Sequence, residues 1–164
     1  MRPFRAALGS AAFFVLAPGT VVGLVPWAIT GWRLAEPWPG WVRVVGAVLV
    51  AAGLVPLAHA FVQFARAGGT PAPVAPTAHL VVSGFNRFVR NPMYVGVTTM
   101  IVGQGLLFGL PAVLVYALVV WATTAAFVRL YEEPTLRRMF GAEYDAYRAA
   151  VPAWRPRLRP WTPG

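Results

Sequence analysis

The 164-residue sequence contains no cysteine and no lysine, and it has only five acidic residues. The absence of cysteine excludes disulfides, thiolate metal ligands and cysteine nucleophiles. The absence of lysine excludes Schiff-base chemistry and the lysine of a phosphate-binding P-loop. No HExxH, GxSxG or Walker-type pattern is present, and we expect no metal site. The chain therefore offers few groups for acid–base, nucleophilic or metal-assisted catalysis.

Hydrophobic residues make up 58% of the chain and charged residues only 12%. This composition is too apolar for an ordinary soluble domain, and it predicts an integral membrane protein in contact with the lipid bilayer. A chain of this length holds about four spanning helices of roughly 20 residues each, plus one small polar lobe. The net charge of +9 is compatible with nucleic-acid binding. In so apolar a chain it favours anionic lipid headgroups instead, and no nucleic-acid partner is expected.

Four apolar segments predict an all-α, polytopic membrane protein that forms a single domain over residues 1–164. The predicted spans lie at about 8–30, 42–65, 93–109 and 111–130. A signal peptide is the alternative for the first segment, but the segment is long and lacks a small-residue cleavage pattern. Pro18 and Pro26 should make this helix irregular. His59 lies inside the second span, where a polar residue is either functional or hydrogen-bonded to a neighbouring helix.

The segment after the fourth span predicts an amphipathic helix at about 134–151. Its apolar residues recur at steps of three and four and form one stripe, which consists of Leu136, Phe140, Tyr144, Tyr147 and Val151. Charged residues take most of the other side, so this helix should lie on the membrane surface with Pro134 as its first residue. The proline-rich tail from Pro152 onward should be extended.

The arginines predict the orientation of this topology. Twelve of the 14 fall on one side, and only Arg33 and Arg43 fall on the other. The positive-inside rule places the arginine-rich side in the cytoplasm, with both termini, the central loop and the C-terminal helix. The candidate polar residues therefore gather on one face.

On that face, a basic loop turns at Asn91-Pro92 into the third span, and two adjacent acids, Glu132 and Glu133, follow the fourth. Adjacent helical residues point about 100° apart, so the acids are poorly arranged as a paired-carboxylate or dimetal site. Each can accept hydrogen bonds from an amine or from ribose hydroxyls. Capping of the following helix is the structural alternative.

The other polar patterns are less specific. Gly103-Gln104-Gly105 in the third span is either a site of close helix packing or a ligand contact. Glu143 and Asp145 stand where solvated helix residues are expected, and Glu36 falls on the opposite side of the membrane.

The order and spacing of these elements resemble a known superfamily. The runs LVVSGFNRFVRNPMYVG, GQG and EEPTLRRMFGAEYDAYRAAVPAWRPRL are similar to the isoprenylcysteine carboxyl methyltransferases and phospholipid methyltransferases. The similarity covers about residues 68–158, and the preceding GTPAPVAP resembles the bacterial branch. It implies a methyltransferase of the bacterial inner membrane that uses S-adenosylmethionine on a lipophilic or small carboxyl or thiol acceptor. A phospholipid N-methyltransferase and a non-catalytic membrane scaffold are the alternatives.

The resemblance also implies site residues, although it assigns no catalytic residue. Those implied to bind the cofactor are His79, Leu80, Val81, Asn91, Pro92, Tyr94, Gly103, Gly105, Glu132 and Glu133. The charge of Arg90 makes it a further candidate, because an arginine can hold the carboxylate of the cofactor. Arg129 lies near the position of a substrate-binding arginine. Asn91 replaces the commoner histidine of the family pattern, and Asn86 stands where tyrosine is usual, a difference that bears on the identity of the acceptor.

Overall fold

The structure is a computed structural model. It describes residues 16–35, 38–62, the backbone of 63–66, residue 80 and residues 82–162. Every regular element within these residues is helical, so the prediction of an all-α chain is confirmed. The beginning of the first predicted span, Glu36, His79 and Val81 lie outside the described residues.

Five helices make up the described part of the chain. They are α1 (Leu16–Thr30), α2 (Gly40–Arg66), α3 (Pro92–Phe108), α4 (Pro111–Phe140) and α5 (Ala142–Ala150). Two of them, α2 and α4, are long and apolar enough to cross a membrane, whereas α1 and α3 are shorter apolar helices. The turn at Gly109 joins α3 to α4 as a helical hairpin, as the sequence predicts.

Helices α2 and α3 pack backbone to backbone through glycines. Gly46 faces Gly103, and Gly53 faces Gly96. A Cβ atom at Gly103 would lie 2.7 Å from the carbonyl oxygen of Gly46 and 2.7 Å from the backbone nitrogen of Val50. Small residues let helices approach this closely in lipid, where no hydrophobic force drives helix against helix. The glycines therefore fix the spacing of the α2–α3 pair.

We expect Gly103→Ala to lower the thermal midpoint of unfolding by several degrees. The added methyl group meets backbone atoms of α2, and overpacking of this kind typically costs about 1–3 kcal/mol. Thermal unfolding of the detergent-purified protein measures the effect. Gly23→Ala is the matched control, because a Cβ atom there has no neighbour within 4 Å. Equal midpoints for the two variants would contradict the packing role.

Two prolines inside long helices each follow a π-helical segment. Gly19–Leu24 precedes Pro26, and Val128–Glu132 precedes Pro134. Proline has no N–H, and its ring crowds the carbonyl four residues earlier. The wider π turn is an irregularity that lets each helix continue past its proline. The predicted irregularity of the first span is therefore confirmed.

Side chains of two other helices replace the backbone donor that Pro26 removes from α1. Gln104 Nε2 donates to the carbonyl of Val22 at 2.8 Å, and Val22 is the residue four positions before Pro26. The Tyr116 hydroxyl donates to the carbonyl of Val21 at 3.0 Å. These two bonds satisfy buried backbone acceptors and tie α1 to α3 and α4.

Helix α4 differs from the predicted pattern because it does not end near residue 130. It passes through Pro134 to Phe140, and Gly141, with φ +53°, separates it from α5. Its 30 residues span about 45 Å, which exceeds the roughly 30 Å of hydrocarbon. The last part of α4 therefore extends beyond the bilayer, and the two acids lie inside a continuous helix instead of capping a new one.

The predicted apolar stripe forms a small core of its own. Tyr144, Tyr147 and Val151 are buried in it, with Leu136 and Phe140 packed around them. The stripe also covers Leu80, Val82 and Trp161. Helix α5 thus packs on the loop before α3 and on the C-terminal tail.

Candidate functional site

The polar end of the helix bundle is formed by the end of α4, the start of α3 and residues 82–91, which we call the entry loop. The loop contains one 3₁₀ turn, Gly84–Arg87, and Asn91 precedes the first residue of α3, Pro92. Proline suits this position because the N–H it lacks would have no helical partner there. The loop and the first turn of α3 bring Asn91 and Tyr94 to this end of the bundle.

Gly84 lets the entry loop lie directly on α2. Its φ of +54° is in the left-handed region that favours glycine, and a Cβ atom there would collide with the imidazole of His59. The ring of His59 also meets Phe85 edge-on, with ring centroids 5.0 Å apart. His59 therefore packs against the loop.

Gly84→Ala is expected to destabilise the protein through two separable effects. A left-handed alanine costs about 1–2 kcal/mol, and its methyl group must displace the ring of His59. In a His59→Ala background only the backbone cost should remain, so a double-mutant cycle of thermal midpoints isolates the contact. The same loss in both backgrounds would show that the contact does not matter.

Arg90 and Glu133 form a largely buried ion pair between the entry loop and α4. Arg90 Nη1 lies 2.6 Å from Glu133 Oε1, and the two side chains are only 11% and 13% exposed. Arg148 on α5 reaches the second oxygen, Oε2, at 3.2 Å. Both carboxylate oxygens of Glu133 are thus occupied by arginines. The sequence assigns both Arg90 and Glu133 to the cofactor. The structure pairs these two residues with each other.

Two buried tyrosines of α5 complete this junction. Arg90 Nη1 donates to the Tyr144 hydroxyl at 3.2 Å, and the Tyr147 hydroxyl donates to the carbonyl of Asn86 at 2.7 Å. Burial raises the pKa of Tyr144 and the Glu133 carboxylate raises it further, whereas Arg90 and Arg148 act to lower it, and the net effect is a raised pKa. Burial also raises the pKa of Tyr147. Both phenols therefore stay protonated at neutral pH and serve as hydrogen-bonding groups.

The C-terminal tail, residues 152–162, runs along the entry loop. Three backbone hydrogen bonds of 2.9 Å join the two segments, namely Arg90 N to Pro152 O, Arg157 N to Phe88 O and Trp161 N to Arg87 O. The Asn91 side chain makes no capping bond to α3, and its Nδ2 donates to Ala153 O at 3.1 Å. On the other side of the loop, Glu143 accepts the N–H of Leu80 at 2.9 Å. Glu143 is therefore a structural acceptor as well as a surface acid.

Glu132 is the acid of the pair that is available to a ligand. It ends the π segment of α4 and is half-buried. Within the described part of the chain, no hydrogen bond or ion pair reaches its carboxylate. The carboxylate interacts electrostatically with Tyr94 of α3 and with the adjacent Glu133. The structure thus distinguishes two acids that are adjacent in the sequence.

The other implied residues lie farther from this point. Gly103 and Gly105 are packed against neighbouring helices, and Gly103 is about 16 Å along α3 from its first residue. These contacts favour the packing alternative for the GQG run. Arg129 is exposed and has no ion pair with a described residue. His79 and Val81 fall outside the described residues, so their role stays a prediction.

The family model of the phospholipid methyltransferases matches residues 41–143, which include α2, the entry loop, α3 and α4. This match covers more than half of the chain. The chain belongs to the phospholipid methyltransferase family. No curated protein and no solved structure matches it. The phospholipid methyltransferase family is part of the superfamily that the sequence resembles, so the predicted relationship is confirmed.

Several residues that build the site were not predicted for it. Tyr144, Tyr147 and Arg148 hold the entry loop or Glu133, and all three lie beyond the part of the chain that matches the phospholipid methyltransferase family. The two tyrosines belong to the predicted apolar stripe. Their hydroxyl groups are the only sign in the sequence that they also form hydrogen bonds at the site, because a buried hydroxyl needs a partner.

Proposed function

We propose that the chain is an integral membrane methyltransferase that uses S-adenosylmethionine on a lipophilic or small carboxyl or thiol acceptor. The observation that carries this proposal is the half-buried carboxylate of Glu132, which pairs with no described residue and interacts electrostatically with Tyr94, in a chain of the phospholipid methyltransferase family. A partly buried carboxylate is stabilised by a cation or by hydrogen-bond donors. S-adenosylmethionine has an ammonium group, a sulfonium and ribose hydroxyls, so these residues fit it.

Separate roles follow for the residues around this carboxylate. Glu132 would accept hydrogen bonds from the amine or the ribose of the cofactor, and the Tyr94 hydroxyl offers it both a donor and an acceptor. Arg90 and Glu133 are engaged with each other. We therefore assign these two a positioning role, in which they hold the entry loop against α4.

The reaction class suits a chain with few catalytic groups. When bound, S-adenosylmethionine supplies a methyl group on a positively charged sulfur. A lone pair of the acceptor can attack the methyl carbon in line with the carbon–sulfur bond, and the sulfur leaves as a thioether. A carboxylate, a thiolate or a neutral amine already carries that lone pair. The protein therefore has to align the two reactants, and alignment requires no general base.

An apolar cleft beside the entry loop supports lateral entry of an apolar acceptor. Its volume is about 330 Å³, within the range of small-molecule pockets. It is lined by Ala52 and Pro56 of α2, Phe88 of the loop, Val95 of α3 and Pro156 of the tail. The arginine distribution supports an orientation in which this end of the bundle faces the cytoplasm. The resemblance of GTPAPVAP to the bacterial branch supports a bacterial inner membrane.

The family match favours a second acceptor class, the amine headgroup of a phospholipid, because the matching model is that of phospholipid methyltransferases. The same site would serve this reaction, since a neutral amine needs alignment in the same way. The two classes differ in the bond that forms, which is an ester or thioether bond in one and a carbon–nitrogen bond in the other.

Methyl transfer from tritiated S-adenosylmethionine in proteoliposomes tests the proposal and separates the acceptors. Prenylcysteines, small thiols, fatty acids and aminophospholipids are presented in turn. Base-labile, volatile counts identify a methyl ester, and base-stable counts identify methylation of sulfur or nitrogen. Absence of transfer to all four by folded protein would make a non-catalytic membrane scaffold the better account.

A further inference from the structure

The C-terminal tail lies where the polar lobe meets the apolar helices. Its backbone is hydrogen-bonded to the entry loop. Trp154 contacts Trp121 edge-on, with ring centroids 6.1 Å apart, and Trp121 belongs to the apolar part of α4. Pro156 lines the apolar cleft together with Ala52 of α2. The tail thus crosses from α4 to α2, and it brings Trp154, a residue type that is enriched at membrane interfaces, against an apolar helix.

The exposed side chains of this segment combine positive charge with an apolar group. Arg155 and Arg159 are exposed, and Leu158 between them is 99% exposed. Three acids of this side of the molecule have partners of their own. Glu133 pairs with arginines, Asp145 pairs with Arg137, and Glu143 accepts a backbone N–H. No described carboxylate forms an ion pair with Arg155 or Arg159.

We propose that residues 154–159 form a binding site for anionic phospholipid headgroups. A guanidinium group matches the geometry of a phosphate oxygen pair. The exposed side chain of Leu158 would be stabilised by burial at the acyl boundary just below the headgroups. A nucleic acid fits less well, because it would meet Trp154 and Leu158 at the edge of the hydrocarbon. The proposal does not rest on the methyltransferase activity proposed above, although Pro156 of this segment also lines the proposed acceptor cleft.

A single fluorescent label tests the site, because the natural sequence has no cysteine. Leu158→Cys provides a unique thiol at an exposed position for an environment-sensitive probe. The labelled protein is placed in nanodiscs of phosphatidylcholine with increasing fractions of phosphatidylglycerol. We expect a progressive blue shift and reduced quenching by acrylamide as the anionic fraction rises. Inorganic phosphate added to phosphatidylcholine discs should cause no shift, which separates a headgroup from free phosphate.

The charge requirement is tested with two double variants in the labelled protein. Arg155→Gln with Arg159→Gln should abolish the dependence on phosphatidylglycerol. Arg137→Gln with Arg138→Gln removes the same number of charges from the end of α4, about 15 Å past Phe127, and should leave the dependence intact. Equal emission in zwitterionic and anionic discs overturns the proposal. An undiminished response in the first double variant, or an equal loss in the second, overturns it as well.

Discussion

Glu132→Gln is expected to weaken S-adenosylmethionine binding about 5- to 150-fold while leaving the thermal midpoint nearly unchanged. The substitution removes one charge-assisted interaction with the cofactor, worth about 1–3 kcal/mol. It breaks no ion pair among the described residues, since Glu132 forms none there. Calorimetric titration of detergent-purified protein measures the affinity.

Asp145→Asn is the matched control for this prediction. It removes one negative charge from the same end of the molecule, but Asp145 is 44% exposed and pairs with Arg137 on the surface. The Asp145→Asn variant should bind the cofactor with the same affinity as the unmodified protein. Unchanged affinity in well-folded Glu132→Gln would remove Glu132 from the site. Equal weakening in both variants would point to general electrostatics.

Glu133→Gln, unlike Glu132→Gln, should cause a large loss of stability. It leaves the largely buried Arg90 guanidinium without a carboxylate partner, and breaking a buried ion pair typically costs about 3–5 kcal/mol. For a chain of this size we expect the thermal midpoint to fall on the order of 10 °C. Scans at one fixed rate measure it, because membrane-protein unfolding is often irreversible.

Two further variants show whether the ion pair is the cause. Replacing both partners, Arg90→Met with Glu133→Met, should recover part of the loss, because no unpaired charge remains in the interior. Arg137→Gln breaks a pair whose side chains are 62% and 44% exposed, and it should cost at most about 1 kcal/mol. A Glu133→Gln midpoint no lower than that of Arg137→Gln would contradict the positioning role.

The second and third helices were predictable because their signals are local. Each is an apolar run bounded by polar residues or by a turn, and the structure places α2 and α3 within one or two residues of the predicted limits. The effect of Pro134 on its helix could not be predicted from the neighbouring residues. A proline ends a helix or only distorts it depending on whether the turn before it can widen. In α4 the turn widens into a π segment, and the helix continues to Phe140.

The candidate site was predictable in outline but not in its division of roles. The sequence places the basic loop and the acid pair on the same side of the membrane. Nothing local distinguishes Glu132 from Glu133, because the difference is a partner 43 residues away, Arg90, together with Arg148. The GQG run was ambiguous for a related reason. Its contacts depend on which helix packs on Gly103, and the structure shows that this helix is α2.

Titration of the purified, folded protein with S-adenosylmethionine and with S-adenosylhomocysteine, its demethylated product, tests the central claim most directly. We predict saturable binding of both at micromolar strength, with one ligand competing against the other for a single site. Absence of binding of either ligand to folded protein would contradict the claim. The family relationship would then reflect shared ancestry and a scaffold function.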